Sequence, residues 1–336
     1  MFGNLMNRMN PTACLAPCGM TSTYSDDENT VDNNELDSIV PRIIEVISDT
    51  ESPPDARTNA LRKLYELTDV KYRENRVSLV CTSKWDVVAK LSTCISASSM
   101  EPEGDEDRRL ACLTLNNLSI PLENKALMAL SAGADTLLIS LTHVIRTGLP
   151  QCYLCLTCLM NISFLEDAAK PIIYFSPTLA VEGRVKRSRQ LHHNPLDDPN
   201  SLLRIIEKKM EIYSPYLSKN VFSVEAEAVR WSVGLLRNLS KTDAHATLIS
   251  RTEMPRLIVS YIKNCQRPVV KWTKDSLEEM SLQVLCNLVR WPKSKRILSS
   301  VNTVEAMEPI LGAGGIHDFR AGMIKYALES YVAPQK

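Results

Sequence analysis

The side chains in this sequence best suited to recognition chemistry are four asparagines, Asn117, Asn161, Asn238 and Asn287, each at the seventh place of a recurring nine-residue pattern. A carboxamide offers both a donor and an acceptor, which is the complement of a peptide unit. Arg237 and Arg290 stand beside two of them in sequence, and a planar guanidinium suits carboxylate or phosphate. A second concentration of charge joins Arg184, Lys186, Arg187 and Arg189, followed by His192 and His193. That cluster has the composition of a polyanion-binding or nuclear-targeting patch, with Ser188 in a basic context attractive to kinases; its plainer reading is a flexible loop.

Nothing in the sequence assembles a catalytic site. It lacks H-E-x-x-H, the phosphate-cradling G-x-x-x-x-G-K-[ST] and G-x-S-x-G, and Gly312-Ala313-Gly314-Gly315 follows no strand, so it reads as a turn. Cys152, Cys155 and Cys158 form one helical row, but no second cysteine pair or nearby histidine accompanies them, so they read as small core hydrophobes. No metal and no cofactor is implied.

The elements that must position the asparagines come from the pattern itself. Its copies begin at Ala60, Ala111, Cys155, Ser232 and Ser281. The first place is always small, and the second, fifth and eighth are aliphatic in every copy except for Cys112. That spacing makes an apolar stripe on a 3.6-period helix, and one helix cannot bury such a stripe alone. Stacked copies must share a continuous core, which is the logic of a solenoid. The seventh place holds Glu66 in the first copy and asparagine in the other four, at intervals of 51, 44, 77 and 49 residues. Removing a Pro-, His- and charge-rich insertion at about 175–201 returns the long interval to the length of the others. Between copies, segments such as Leu137 to Leu141 repeat their apolar residues at helical spacing, and Asp275 or Ser276 is placed to cap the last copy's helix. No stretch alternates like a strand. The fold class is all-α.

The A-L-x-x-L-x-N-L-S signature at Ala111 and Ser232, with the run from Asn124-Lys125 through Gly133-Ala134 to Leu141, resembles the armadillo repeat. The neighbouring HEAT family is the nearest structural alternative. The resemblance spans about 40–334 and implies a right-handed α-solenoid of five to six repeats whose third helices line a concave groove. In peptide-binding members the seventh-place asparagine bonds the backbone of an extended ligand, which makes Asn117, Asn161, Asn238 and Asn287 the inherited candidates. The alternative is that each merely bonds a neighbouring helix or loop. Import adaptors similar to this family carry tryptophan four residues before that asparagine; here those places hold Arg62, Leu113, Thr157, Gly234 and Gln283, which argues against a receptor for basic signals. Arg62, Arg230, Arg237, Arg290 and Lys293 would make the groove mildly basic, suited to acidic or phosphorylated segments.

Composition sets the remaining bounds. The chain has 336 residues with 39 Lys+Arg against 39 Asp+Glu, a balance that gives no support to a nucleic-acid binder. Ten cysteines placed mostly in helices fit reducing conditions, in cytoplasm or nucleus, while an organelle transit peptide at the N-terminus stays open. Residues 1–38 read as an acidic disordered tail, either a solubilising extension or an autoinhibitory strand for a basic groove. The leading expectation is a non-enzymatic scaffold that binds a protein or extended peptide along its groove. The alternatives are a helical-repeat nucleic-acid binder or enzyme using the basic insertion, and a structural subunit docking through its convex face.

Overall fold

The computed structural model describes residues 33–69, 71–82, 85–97, 102–131, 133–181, 194–218, 223–265, 271–312 and 314–331. Among them are 18 α-helices and no strand. In chain order these are α1 (Asn33–Ser48), α2 (Pro54–Leu67), α3 (Arg73–Cys81), α4 (Val87–Ala97), α5 (Pro102–Leu118), α6 (Leu122–Leu130), α7 (Ala134–Thr147), α8 (Cys152–Ile162) and α9 (Glu166–Ile173). There follow α10 (Pro177–Val181), α11 (Leu202–Tyr213), α12 (Val224–Leu239), α13 (Asp243–Ser250), α14 (Met254–Cys265), α15 (Lys271–Leu288), α16 (Pro292–Ser300), α17 (Thr303–Met307) and α18 (Gly315–Glu329).

The nine-residue copies end the helices of one layer. In copies two to five the residues at places one, two, five and eight are no more than 1% exposed, so the stripe read from sequence is the core. Each third helix packs on the next, α2 on α5, α5 on α8, α8 on α12, α12 on α15 and α15 on α18. A second row runs α1, α4, α7, α11, α14, α17 in the same order, and shorter first helices form the pairs α3–α6, α6–α9 and α13–α16. The described residues therefore form an all-α solenoid of six repeats, the first of them described over two helices. Burial of an unbroken leucine-rich seam between repeats is what makes each helix stable, since helices this short are marginal alone.

Polar ties set the register between layers. Ser201, Ser223 and Thr242 each accept a backbone N–H at the start of α11, α12 and α13. The Ser140 hydroxyl reaches back to the Ser92 carbonyl at 2.8 Å, and the Ser250 hydroxyl donates to that of Ser294 at 2.7 Å.

Three boundaries differ from those the sequence suggests. The N-terminal segment turns helical at Asn33 rather than after residue 38, because Leu36 and Val40 begin an apolar stripe that the acidic composition hides. The insertion is built into the fold at both ends: Phe175 is buried, the Leu202 N–H donates to the Phe175 carbonyl at 3.0 Å, and Ser176 bonds Asp198. Residues 182–193, including Arg184, Lys186, Arg187, Arg189, His192 and His193, lie outside the described residues. Finally, α15 starts at Lys271, so Asp275 and Ser276 lie inside the helix rather than capping it. The turn expected at Gly312–Gly315 is present, with Gly312, Gly314 and Gly315 at positive φ and the Asp318 carboxylate accepting from the Gly312 and Gly314 N–H groups.

Candidate functional site: the third-helix face

The four asparagines share one geometry. Asn287 Nδ2 donates to the Arg237 carbonyl and to Ser240 Oγ, both at 3.0 Å. Asn238 Nδ2 donates to the Met160 carbonyl at 2.8 Å and to Ser163 Oγ at 3.4 Å. Asn161 Nδ2 reaches Ser119 Oγ at 3.0 Å and Asn116 Oδ1 at 3.2 Å, and Asn117 Nδ2 reaches Thr68 Oγ1 at 3.4 Å. In each case the acceptor is the hydroxyl at place nine of the preceding copy, or a group at its place six. Those hydroxyls in turn donate to the place-six carbonyl of their own helix, Thr68 to Tyr65, Ser119 to Asn116, Ser163 to Met160 and Ser240 to Arg237. An α-helix leaves its last carbonyls without internal partners, and Asn238 and Asn287 meet such a carbonyl directly, whereas Asn117 and Asn161 meet the hydroxyl bonded to it.

The ladder stops where its parts run out together. Among the described residues no third helix precedes the one that carries Glu66. At the other end Val289 offers no hydroxyl, and in the register fixed by buried Ala321, Ile324 and Leu328 the seventh place of α18 falls on Ala327, which has no amide.

This assigns one half of each carboxamide to the fold and leaves the other half. None of the four Oδ1 atoms accepts a hydrogen bond among the described residues, and none is sealed from water. Access is unequal: Asn117 and Asn161 are half-buried, whereas Asn238 and Asn287 are 4% and 8% exposed.

The edge beside the ladder is cationic and apolar. Lys125 on α6 donates to the Ser119 and Asn161 carbonyls, both at 2.9 Å, and burial pushes its amine down to about 8. Its Nζ lies 5.8 Å from the centre of the Phe164 ring, and Lys241 Nζ lies 4.9 Å from the same ring while donating to the Phe164 carbonyl. Burial and then the neighbouring Arg237 lower the Lys241 amine below the ordinary lysine range. Sequence reasoning missed this elbow, although the Asn124-Lys125 pair was its visible signal; Asn124 Nδ2 donates to the Leu118 carbonyl at the end of α5 and to the Arg76 carbonyl within α3.

The arginines are distributed unevenly. Arg237 is half-buried and Arg290 exposed, both at the end of a third helix. Arg230 stands 4.5 Å from the Trp231 ring centre and pairs with Glu227 at 3.1 Å, and Arg62 lies 3.9 Å from Glu106, so these two are partly neutralised. The cysteine row is core: burial drives the Cys152 and Cys158 thiols to about 12 and raises Cys155 further, with Cys112 Sγ 3.8 Å from Cys155 Sγ.

No family model and no curated protein matches the chain. Solved structures do. A designed armadillo repeat protein, YIII(Dq)4CqI, superposes with a TM-score of 0.59 at 11% identity, covering 86% of this chain and 99% of that one. An engineered protein from the Northeast Structural Genomics Consortium gives a TM-score of 0.59 at 13% identity over 87% and 96% of the two chains. A structure from work on a conserved phosphorylation switch controlling the interaction between cadherin and beta-catenin gives 0.64 at 14% identity, over 89% of this chain and 55% of that one. At these identities the likeness concerns the fold. The chain has an armadillo-type fold.

Proposed function

We propose that this chain is a non-enzymatic scaffold that holds an extended segment of a partner protein along the face built by α2, α5, α8, α12, α15 and α18. The observation that carries the reading is the row of four carboxamides whose Nδ2 groups are committed to the fold while their Oδ1 atoms are left to accept from a partner's backbone. Asn117 and Asn161 are the more accessible members, and Asn238 and Asn287 act at the more buried end. Arg237, Lys241 and Arg290 favour an acidic or phosphorylated segment at that end, through bidentate contacts from the arginines. The basic cluster Arg184, Lys186, Arg187 and Arg189 is a second candidate contact for a polyanion or a targeting factor. A phosphorylation switch controlling an interaction, that between cadherin and beta-catenin, is described of the structural neighbour alone.

Alanine at the asparagines would damage the ladder as well as the face, so the test uses positions beside it. Thr157→Arg and Gln283→Arg place bulk on the third-helix face without removing a rung, and Lys90→Glu on α4 serves as a control away from it. Partners recovered from native lysate by the wild-type chain are expected to be lost from the first two variants and kept by the third. Equal recovery by all three chains would move the function off this face.

A further inference from the structure

Helix α18 carries an apolar stripe on its outer side. Ala321, Ile324 and Leu328 bury one side of it, while Ile316, Phe319 and Tyr326 on the opposite side are 53%, 45% and 59% exposed, with half-buried Met323 between them. These four stand three, four and three residues apart, which is one face of a helix. Two residues before place one, where α5, α12 and α15 carry Arg109, Arg230 and Glu279, α18 carries Phe319; at place three, where α2 and α15 carry Arg62 and Gln283, it carries Met323. This helix thus turns apolar at places that several earlier third helices fill with polar side chains.

Gly322 lies beside the stripe, inside the helix and without a positive φ. A Cβ there would meet only Leu311, at the ordinary distance of 3.9 Å, so neither the backbone nor the packing within the chain calls for glycine. A glycine in mid-helix weakens the helix, and its bare backbone lets a second element come close.

The charges narrow the choice of occupant. His317 faces Glu278 at 3.2 Å, Arg320 pairs with Glu279 at 3.3 Å, Lys325 pairs with Glu308 at 2.6 Å and Glu329 at 3.8 Å, and Asp318 accepts from the Gly312 and Gly314 N–H groups. Every charged side chain of α18 is engaged within the chain, so the stripe calls for a neutral apolar counterpart. An extended segment would lack its grip here, because Ala327 stands where four earlier copies have asparagine. A helix satisfies its own backbone and needs only a matching stripe. The stripe of a second copy is such a match, because its spacing reads the same in both directions. An antiparallel twofold sets Phe319 against the partner's Met323, a thioether on a ring, and Ile316 against the partner's Tyr326. Asp318 and Lys325 exchange places under that twofold, so unlike charges border the pair.

We propose that α18 is a self-association surface, through which two copies of the chain pair antiparallel by Ile316, Phe319, Met323 and Tyr326, with Gly322 admitting the partner's Phe319. The pairing goes beyond the binding reading given above and does not depend on it. One helix pair is a small interface, so the dimer forms in the micromolar range.

Sedimentation velocity of the full chain over roughly 1–300 µM, bracketing such a dissociation constant, is expected to show monomer passing to dimer. Phe319→Glu should weaken association at least about tenfold and leave the melting midpoint of dilute protein unchanged. Gly322→Gln should raise that midpoint through better helix propensity and yet weaken association, a split that a merely structural glycine would not give. Thr157→Arg on α8 should leave the dimer intact, so the pairing and the binding face fail separately. Monomer at every concentration, or association that survives either α18 variant unchanged, overturns the pairing. If the chain is monomeric and Phe319→Glu also lowers its melting midpoint, the stripe is covered from within the chain instead.

Discussion

Asn287 of one repeat donates its amide to Ser240 Oγ of the repeat before it, at 3.0 Å, and Ser240 passes a hydrogen bond on to the Arg237 carbonyl at 3.2 Å. Because Asn287 also meets that carbonyl directly, the three groups form a closed set at the end of α12. Removing either side chain leaves a buried polar group short of a partner, at a cost of about 1–2 kcal/mol. Asn287→Ala and Ser240→Ala should each lower the urea midpoint, and the double variant should lose clearly less than the sum of the two. Additive losses in that cycle would mean the two side chains act independently.

Lys125 gives the fold a defined pH dependence. Its folded value of about 8 lies below the ordinary 10.5, so between those limits the unfolded chain holds a proton the folded chain has released. Stability should therefore rise across that window relative to Lys125→Met, by on the order of 2 kcal/mol, with the charged amine's penalty fully present below it. Denaturation of both chains at pH 7 and pH 10 measures the difference, and parallel pH profiles would count against it.

Gly148 ends α7 in the left-handed region, at φ 73°, with Lys209 Nζ and Tyr213 Oη each 2.8 Å from where a Cβ would sit. Gly148→Ala should lower stability by about 1 kcal/mol through backbone strain, with the two flexible side-chain ends moving aside. A melting curve unchanged from wild type would show that the α7 end relaxes freely.

The thiols should sort by burial. Cys81 is exposed, whereas Cys112, Cys152, Cys155 and Cys158 are buried, and burial lifts the last three well above the range in which thiolate forms. Brief alkylation at pH 8 followed by peptide mapping should label Cys81 and spare those four until denaturant is added. Early labelling at Cys155 would indicate opening of the α5–α8 seam.

Most of the architecture could be read before any coordinates, because the positions that recur are the ones that bury. Places one, two, five and eight announced the seam between third helices, and the seventh-place asparagines stood out as polar residues inside an apolar pattern. What those asparagines bond was hidden, since a hydrogen bond across 42 to 78 residues of sequence leaves no local trace. One clue was present: a hydroxyl stands at place nine wherever the next copy has asparagine at place seven, and Val289 is followed by none. The start of α1 was misplaced because acidic composition was weighed above Leu36 and Val40, the buried side chains that hold its first turns.

The ladder also has a direction. Every rung is donated backward, from a later repeat to the one already completed, so the hydroxyl that closes each third helix receives its amide only when the following repeat exists. During synthesis a ribosome would deliver the acceptor of each rung before its donor, and a repeat would lock only when its successor has emerged. The junction between α15 and α18, with Val289 and Ala327, carries no such rung. The same asymmetry makes loss of repeats from the two ends unequal: trimming from the front strands a single amide, whereas trimming from the back reopens a helix terminus.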